Sequence, residues 1–366
     1  MYGLSRVVVS VIIPPMSAHR NLLAVCGAVA LAVPAPACDG GEQAPFEFPE
    51  SVRGMRVDST ARADFDSFWA SAARKVHGHP LKAKFTELVD EPFDTVRIFD
   101  VVVPGLDGTS VKAWFVCPAY ASETNKVPCA VVYHGGGGRR GKDLFWASSG
   151  MAMLMMDFRM QGGETGSSTA FEQSCGTHFI GYNLMKRKED YYLYHVWTDA
   201  LLVLRAAFEH PFVDASKVVV WGQSQGGGTA LMAAALEPRV ARCFACVPSY
   251  CWWERRIATK TASAARLADY LEEHPSDVAA VMDKLSYFDG MNFAARIKCP
   301  VRGYVCGKDT AVPADCVFAT FNHISAPKDL RELPFGQHKC YDFMYREWIK
   351  DLQREWHFGK TRRHGK

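Results

Sequence analysis

Residues 218–228 read Val-Val-Val-Trp-Gly-Gln-Ser-Gln-Gly-Gly-Gly, an apolar run that enters Gly222-Gln-Ser224-Gln-Gly226 and then an Ala-rich segment. A serine in a sharp strand-to-helix turn has its hydroxyl exposed, and it needs glycines where neighbouring side chains would clash. Its hydroxyl is a weak nucleophile, so an imidazole must take the proton and a carboxylate must hold that imidazole in the right tautomer. In this arrangement the chain order is Ser, acid, His. Asp309 follows the apolar run Val301 to Cys306, and His338 follows the short run Leu330 to Pro334. Ser224, Asp309 and His338 are therefore the expected catalytic residues. Asp315 is the rival acid, but it falls in the first turn of the next helix, where an acidic residue already complements the helix dipole. His323, inside that helix, reads as structural.

Acyl transfer also develops an oxyanion, which preorganised backbone N–H groups stabilise. Tyr133-His134-Gly135-Gly136-Gly137-Gly138 follows the apolar run Ala130 to Tyr133. Gly136 in that loop and Gln225, directly after Ser224, are the expected oxyanion donors. A phosphate cradle is excluded, since no Gly-Lys-Ser/Thr follows the glycines. Cys243 and Cys246 have C-x-x-C spacing, but they sit in an apolar run with no second pair at zinc spacing, so they read as buried small side chains.

These residues need a rigid frame. Apolar runs recur at Val96–Val103, Val111–Cys117, Ala130–Tyr133, Met151–Met156, Val218–Trp221, Cys243–Val247 and Val301–Cys306. Continuous runs of this length suit strands buried on both faces. Helical periodicity occupies Ala63–Lys75, Tyr191–Glu209, Gly226–Leu236 and Ala314–His323. The alternation predicts an α/β fold with a doubly wound, mostly parallel sheet and helices on both faces. Two stretches break the rhythm, Gly162–Asp190 and Trp252–Phe293, and insertions after strand ends shape a substrate pocket or an oligomer contact.

A chain of 366 residues, 48% hydrophobic, supports one large domain. Net charge is +3, and about +1 once Arg6 and Arg20 are set aside, which gives no reason to expect a nucleic-acid partner. Met16-Ser-Ala-His-Arg20, the apolar run Leu22–Val33 and Ala35-Pro-Ala37 have the layout of a secretory signal peptide. The expected organisation is a signal peptide at 1–38, with Met16 as an alternative start, a leader at 39–50, a catalytic domain at 51–358 and a basic tail at 359–366. The apolar run is short for a stable membrane span. A secreted or periplasmic location follows, with lipid attachment at Cys38 as the alternative. Export would place the ten cysteines after Cys38 where disulfides can form.

At these residues the chain resembles the acetyl xylan esterase and cephalosporin C deacetylase family of carbohydrate esterases, which have the α/β-hydrolase fold. The likeness runs from about Asp64 to the C-terminal helix. It is carried by Asp64-Phe-Asp-Ser-Phe-Trp69, Asp157-Phe-Arg159-Met-Gln161-Gly162, Tyr191-Tyr-Leu-Tyr194, Gly222-Gln-Ser-Gln-Gly-Gly227, Cys306-Gly-Lys-Asp309 and Val317–His323. Three places depart from the family: its Arg-Gly-Gln is Arg159-Met160-Gln161, its His-Glu is His338-Lys339, and the aromatic after its His-Gly is Gly136. The resemblance implies removal of acetyl groups from small acetylated saccharides and other short esters, with no metal or organic cofactor. It also implies a closed homo-oligomer, commonly a hexamer, with Phe179, Tyr182, Trp252, Trp253, Tyr287 and Phe288 in the two insertions suited to contacts. The alternatives are a serine peptidase of the same fold and a noncatalytic carbohydrate-binding protein.

Overall fold

The computed structural model describes residues 47–176 and 178–359. The expected signal peptide, the Met16 start, Cys38 and most of the basic tail lie outside the described residues. Among the described residues nine strands form one sheet: β1 (Lys84–Glu87), β2 (Val96–Pro104), β3 (Ser110–Pro118), β4 (Val127–Tyr133), β5 (Ala152–Met156), β6 (Val213–Gln223), β7 (Arg242–Cys246), β8 (Val301–Cys306) and β9 (Lys328–Leu333). Their spatial order is β1-β2-β3-β5-β4-β6-β7-β8-β9. The pairs β1–β2, β2–β3 and β3–β5 are antiparallel. From β5 through β4, β6, β7 and β8 to β9 every pairing is parallel. The doubly wound α/β expectation holds, with an antiparallel edge.

Both faces of the sheet are covered, and this explains the continuous apolar runs. Along β6, Val218 and Val220 enter one core cluster with Trp69 and Trp197, while Val219 and Trp221 enter a second with Trp146 and Trp348. Cys243 and Cys246 divide between the same two clusters. All ten cysteines from Cys117 to Cys340 are free thiols, so no disulfide forms among the described residues.

The helices are α1 (Glu50–Arg53), α2 (Phe65–Gly78), α3 (Leu144–Ser148), α4 (Tyr192–Glu209), α5 (Gln225–Leu236), α6 (Trp253–Ala258), α7 (Ser263–Glu273), α8 (Val278–Ser286), α9 (Gly290–Ala294), α10 (Ala314–Asn322) and α11 (Asp342–Trp356). In α2 the buried face is Phe65, Trp69, Ala72 and Val76, an i, i+4, i+7, i+11 stripe. Trp69 is the anchor, and its indole N–H donates to Tyr287 O at 2.8 Å. Truncating it to Ala would cost about 3–5 kcal/mol. α4 has residues buried all around and crosses the centre of the first cluster. α3 and α11 cover the second face through Trp146, Met344 and Trp348.

Both insertions form a cap over the parallel strand ends. Asp157–Tyr191 has two single 3₁₀ turns, Phe179–Gly181 and Lys188–Asp190, and α6 to α9 make up the second insertion. The aromatic residues expected to contact a neighbouring subunit mostly pack within their own chain. Trp253, Tyr287 and Phe288 are buried. Tyr182 packs against Phe171 and Tyr192, and Phe179 lies over Tyr192. Of these aromatics Phe179 lines the pocket, whereas Trp253, Tyr287 and Phe288 belong to the core cluster. No helix among the described residues is long and apolar enough to cross a membrane.

Candidate active site

Ser224 stands between β6 and α5 with φ 56° and ψ −119°, a region that side-chain-bearing residues rarely adopt. The turn is tight enough to dictate its neighbours: a Cβ at Gly222 would meet Gly226 O at 2.0 Å, and one at Gly226 would meet Tyr133 O at 1.9 Å. Two bonds hold the strained residue from outside the turn, Ser224 N–H to Cys246 O at 2.9 Å and Ser249 N–H to Ser224 O at 2.8 Å. α5 begins at the next residue, so its unpaired first-turn N–H groups open beside the hydroxyl.

Asp309 and His338 come from the loops after β8 and β9, which parallel pairing brings alongside the elbow. His338 Nε2 lies 2.8 Å from Ser224 Oγ, and His338 Nδ1 lies 2.7 Å from Asp309 Oδ2. The other carboxylate oxygen of Asp309 accepts from Ala311 and Val312 N–H, both at 2.8 Å. A carboxylate tied on both sides, with its side chain wholly buried, puts the imidazole proton on Nδ1 and leaves the Nε2 lone pair for the serine proton. Lys308 N–H to Gly336 O at 2.8 Å joins the two loops directly. The rival residues are engaged elsewhere: Asp315 accepts from Arg255 Nε at 2.7 Å, and His323 Nε2 meets Val57 O at 2.9 Å.

Gly136 and Gln225 line the same cavity, about 260 Å³, as Ser224 and His338. The glycine loop is held from behind. Gly137 N–H donates to Gln161 Oε1 at 3.1 Å, and Gln161 Nε2 donates to Tyr192 OH at 2.9 Å and Gln225 Oε1 at 3.0 Å. Tyr250 OH also donates to Gln225 Oε1. Next to Gln161, Arg159 is buried and grips both oxygens of Asp199 at 2.8 Å, with Asp107 on its other side. His134 donates from Nδ1 to Gly135 O and accepts Phe158 N–H at Nε2, so it shapes the loop. The missing aromatic at Gly136 has a counterpart across the cavity: a Cβ there would be 4.0 Å from the ring of Phe179.

Sequence reasoning did not find His178, Ser249 and Arg256 as lining this cavity, nor the Gln161–Gln225–Tyr250 network, while Phe179, named among the insertion aromatics, lines it as well. Only tertiary contact brings them together. Burial, with Arg266 adding to it, pushes the His178 imidazole down to about 4, so it is neutral at physiological pH. Among the described residues, no cluster of three or more His, Cys, Asp or Glu side chains could hold a metal ion.

A doubly wound sheet with a strained serine at the end of the central strand β6, and with aspartate and histidine after the ends of β8 and β9, defines an α/β-hydrolase. A model of one family of this fold, Acetyl xylan esterase (AXE1), matches residues 46–355. The solved acetyl xylan esterase from Paenibacillus sp. R4 is 30% identical with a TM-score of 0.80, covering 84% of this chain and 99% of its own. Acetyl xylan esterase 1 from Thermoanaerobacterium sp. JW/SL YS485 is 25% identical with a TM-score of 0.77, at the same coverage. The acetyl esterase Axe7A of Xylanibacter ruminicola is 24% identical over 299 residues, 75% of this chain, and the chain spans 63% of that protein's length. The chain belongs to the acetyl xylan esterase family, a family of carboxylic ester hydrolases.

Proposed function

We propose that this protein removes acetyl groups from acetylated xylo-oligosaccharides and similar small esters through an acyl-enzyme on Ser224. The supporting observation is the unbroken line Asp309–His338–Ser224, with both links at hydrogen-bond distance inside a small cavity. Ser224 Oγ attacks the acetyl carbonyl while its proton passes to His338 Nε2. The carbonyl oxygen becomes an oxyanion facing the N–H groups of Gly136 and Gln225. As the tetrahedral species collapses, the C–O bond to the sugar breaks, and the departing oxygen takes the proton from His338. Water then attacks the acetyl-serine with the same base, releasing acetate and restoring Ser224. The small cavity suits acetyl better than longer acyl groups, since each methylene without room costs about 1–3 kcal/mol of transition-state binding.

The test is acetate release from acetylated xylo-oligosaccharides, with a serine-directed phosphonate mapped by mass spectrometry. Labelling at Ser224 with loss of acetate release supports the proposal. Phosphonate on another serine, with acetate release intact, overturns it. We also propose export, supported by the N-terminal pattern through Ala37, and self-association, supported by the family resemblance. Intact mass from the native host tests the first through an N-terminus at or near Cys38. Light scattering tests the second, and a monomer refutes it.

A further inference from the structure

Three arginines among the described residues have almost wholly buried side chains, and only two of them are paired in the usual way. Arg159 lies between Asp199 and Asp107, and Arg140 lies between Asp100 and Glu164. Arg256, on α6, is 0% exposed, and no carboxylate hydrogen-bonds to it among the described residues. Its guanidinium carries five N–H donors and stays charged in proteins. Two of them are used: Nη1 donates to Ser249 Oγ at 2.7 Å, and Nη2 reaches Ala311 O at 3.5 Å. Nε has no partner. Asp289 acts on the guanidinium through space without a hydrogen bond, and burying a cation with no carboxylate bonded to it costs several kcal/mol, so the arrangement calls for a use.

That use is indicated by where the side chain sits. Arg256 and Ser249 line the cavity that holds Ser224 and His338, and no acidic side chain lines it among the described residues. Arginine can only donate, so Ser249 Oγ is the acceptor in their bond and its own proton remains to be donated. No protein acceptor takes that proton among the described residues, and a donor polarised by a guanidinium is a strong one. Ser249 is also one backbone bond from the nucleophile, through Ser249 N–H to Ser224 O. Ser263 adds a second hydroxyl to the same wall, and neutral His178 adds no competing charge.

We propose that Ser249, backed by Arg256, is a carboxylate-reading subsite beside Ser224, and that acetyl esters of sugar acids are preferred over those of neutral sugars. The acetyl group itself is small and uncharged, so the carboxylate belongs to the alcohol part of the ester. The inference rests on the deacetylation proposed above.

The experiment compares kcat/KM for a monoacetylated methyl glucuronoside and the matching methyl glucoside, which differ only in carboxylate against hydroxymethyl. The wild type should prefer the uronate about 10- to 100-fold, the fold-change equivalent of one hydrogen bond to a charged group. Arg256→Met and Ser249→Ala should bring that ratio close to one. Arg256→Met replaces a buried charge by an apolar chain of similar length, and Ser249→Ala reports independently if it fails to fold. A residue that only props the wall would lower both rates and leave the ratio unchanged, so a ratio that persists in both variants overturns the proposal. A wild-type ratio near one, with both esters cleaved, overturns the subsite and leaves the esterase function standing. If that ratio is near one while sodium acetate competes with both esters and Arg256→Met removes the competition, the subsite reads the free product, and the proposal is equally overturned. Release of acetate from neither ester would overturn the function and the subsite together.

Discussion

Ser224 and Met160, two of the non-glycine residues near the site in backbone conformations that favour glycine, adopt them for different reasons. Ser224 has φ 56°, and Met160 has φ 59°. In the proposed mechanism Ser224 cannot be glycine, because the Cβ that causes the strain carries the attacking oxygen. The turn is clamped around it by Cys246 O and Ser249 N–H. Met160 sits between Arg159 and Gln161, both of which point inward, while its own side chain is 45% exposed. At this position the resembled family has glycine. Strain therefore indicates function only where the strained side chain is used, and substitutions at the two sites should separate.

Ser224→Ala should reduce ester hydrolysis by about 10⁴-fold or more, since the nucleophile is removed while the strained turn remains. Its Tm should stay near that of the wild type. Ser224→Gly should be equally inactive yet more stable than Ser224→Ala, because glycine relieves a cost of about 1–3 kcal/mol. Differential scanning calorimetry on the pair decides it: a glycine variant that melts below the alanine variant would mean that the elbow stores no strain. Asp309→Asn comes next. It should keep the fold and lower kcat by about 10³- to 10⁴-fold through loss of the imidazole tautomer, whereas Asp315→Asn should leave kcat within about threefold. If these two results were exchanged, Asp315 would be the working acid.

The contrast between the two turns also marks how far the sequence could be read. Strands β2 to β8 were visible because helix layers on both faces of the sheet give them long apolar runs. β1 was not: it is an edge strand with little burial, and only Phe85 packs inward. Asp309 and His338 were recognisable because each follows a strand end directly, and Ser224 because the glycines around it are fixed by contacts within the turn. Arg256 gave no such signal. In Glu254-Arg255-Arg256 it looks like part of a solvated helix face, and only the loops after β7 and β8, which carry Ser249 and Ala311, make it buried. The left-handed φ at Met160 was equally hidden, since no glycine or asparagine marks it.

Gln161, beside Met160, tests whether that turn serves the chemistry through its polar member. Its carboxamide fixes Gly137 N–H and the side chain of Gln225, so it positions the proposed oxyanion loop without lining the cavity itself. Gln161→Met keeps the volume and removes the bonds. Because one oxyanion donor is worth about 10²–10³ in kcat, a displaced loop should cost roughly 10- to 100-fold, with KM nearly constant. Steady-state kinetics separate this from a collapsed pocket, in which KM would rise and Tm would fall together.

The smallest effect is expected at Met160 itself. A left-handed conformation costs a non-glycine residue about 1–2 kcal/mol, and glycine removes that cost. Glycine also gives the unfolded chain more freedom, which takes back about 0.5–1 kcal/mol. The net gain from Met160→Gly should therefore be near 0.5–1 kcal/mol, a rise in Tm of about 1–3 °C for a domain of this size. Met160 N–H donates to Thr165 O at 2.9 Å, a backbone bond that glycine retains, and the exposed side chain gives up little burial. Thermal melts of Met160→Gly and Met160→Ala at one pH make the measurement. Alanine keeps the strain and should gain nothing, so the diagnostic is the gap between the two variants. Equal melting temperatures would show that the turn bears no strain at Met160, and the comparison with Ser224 would then rest on the elbow alone.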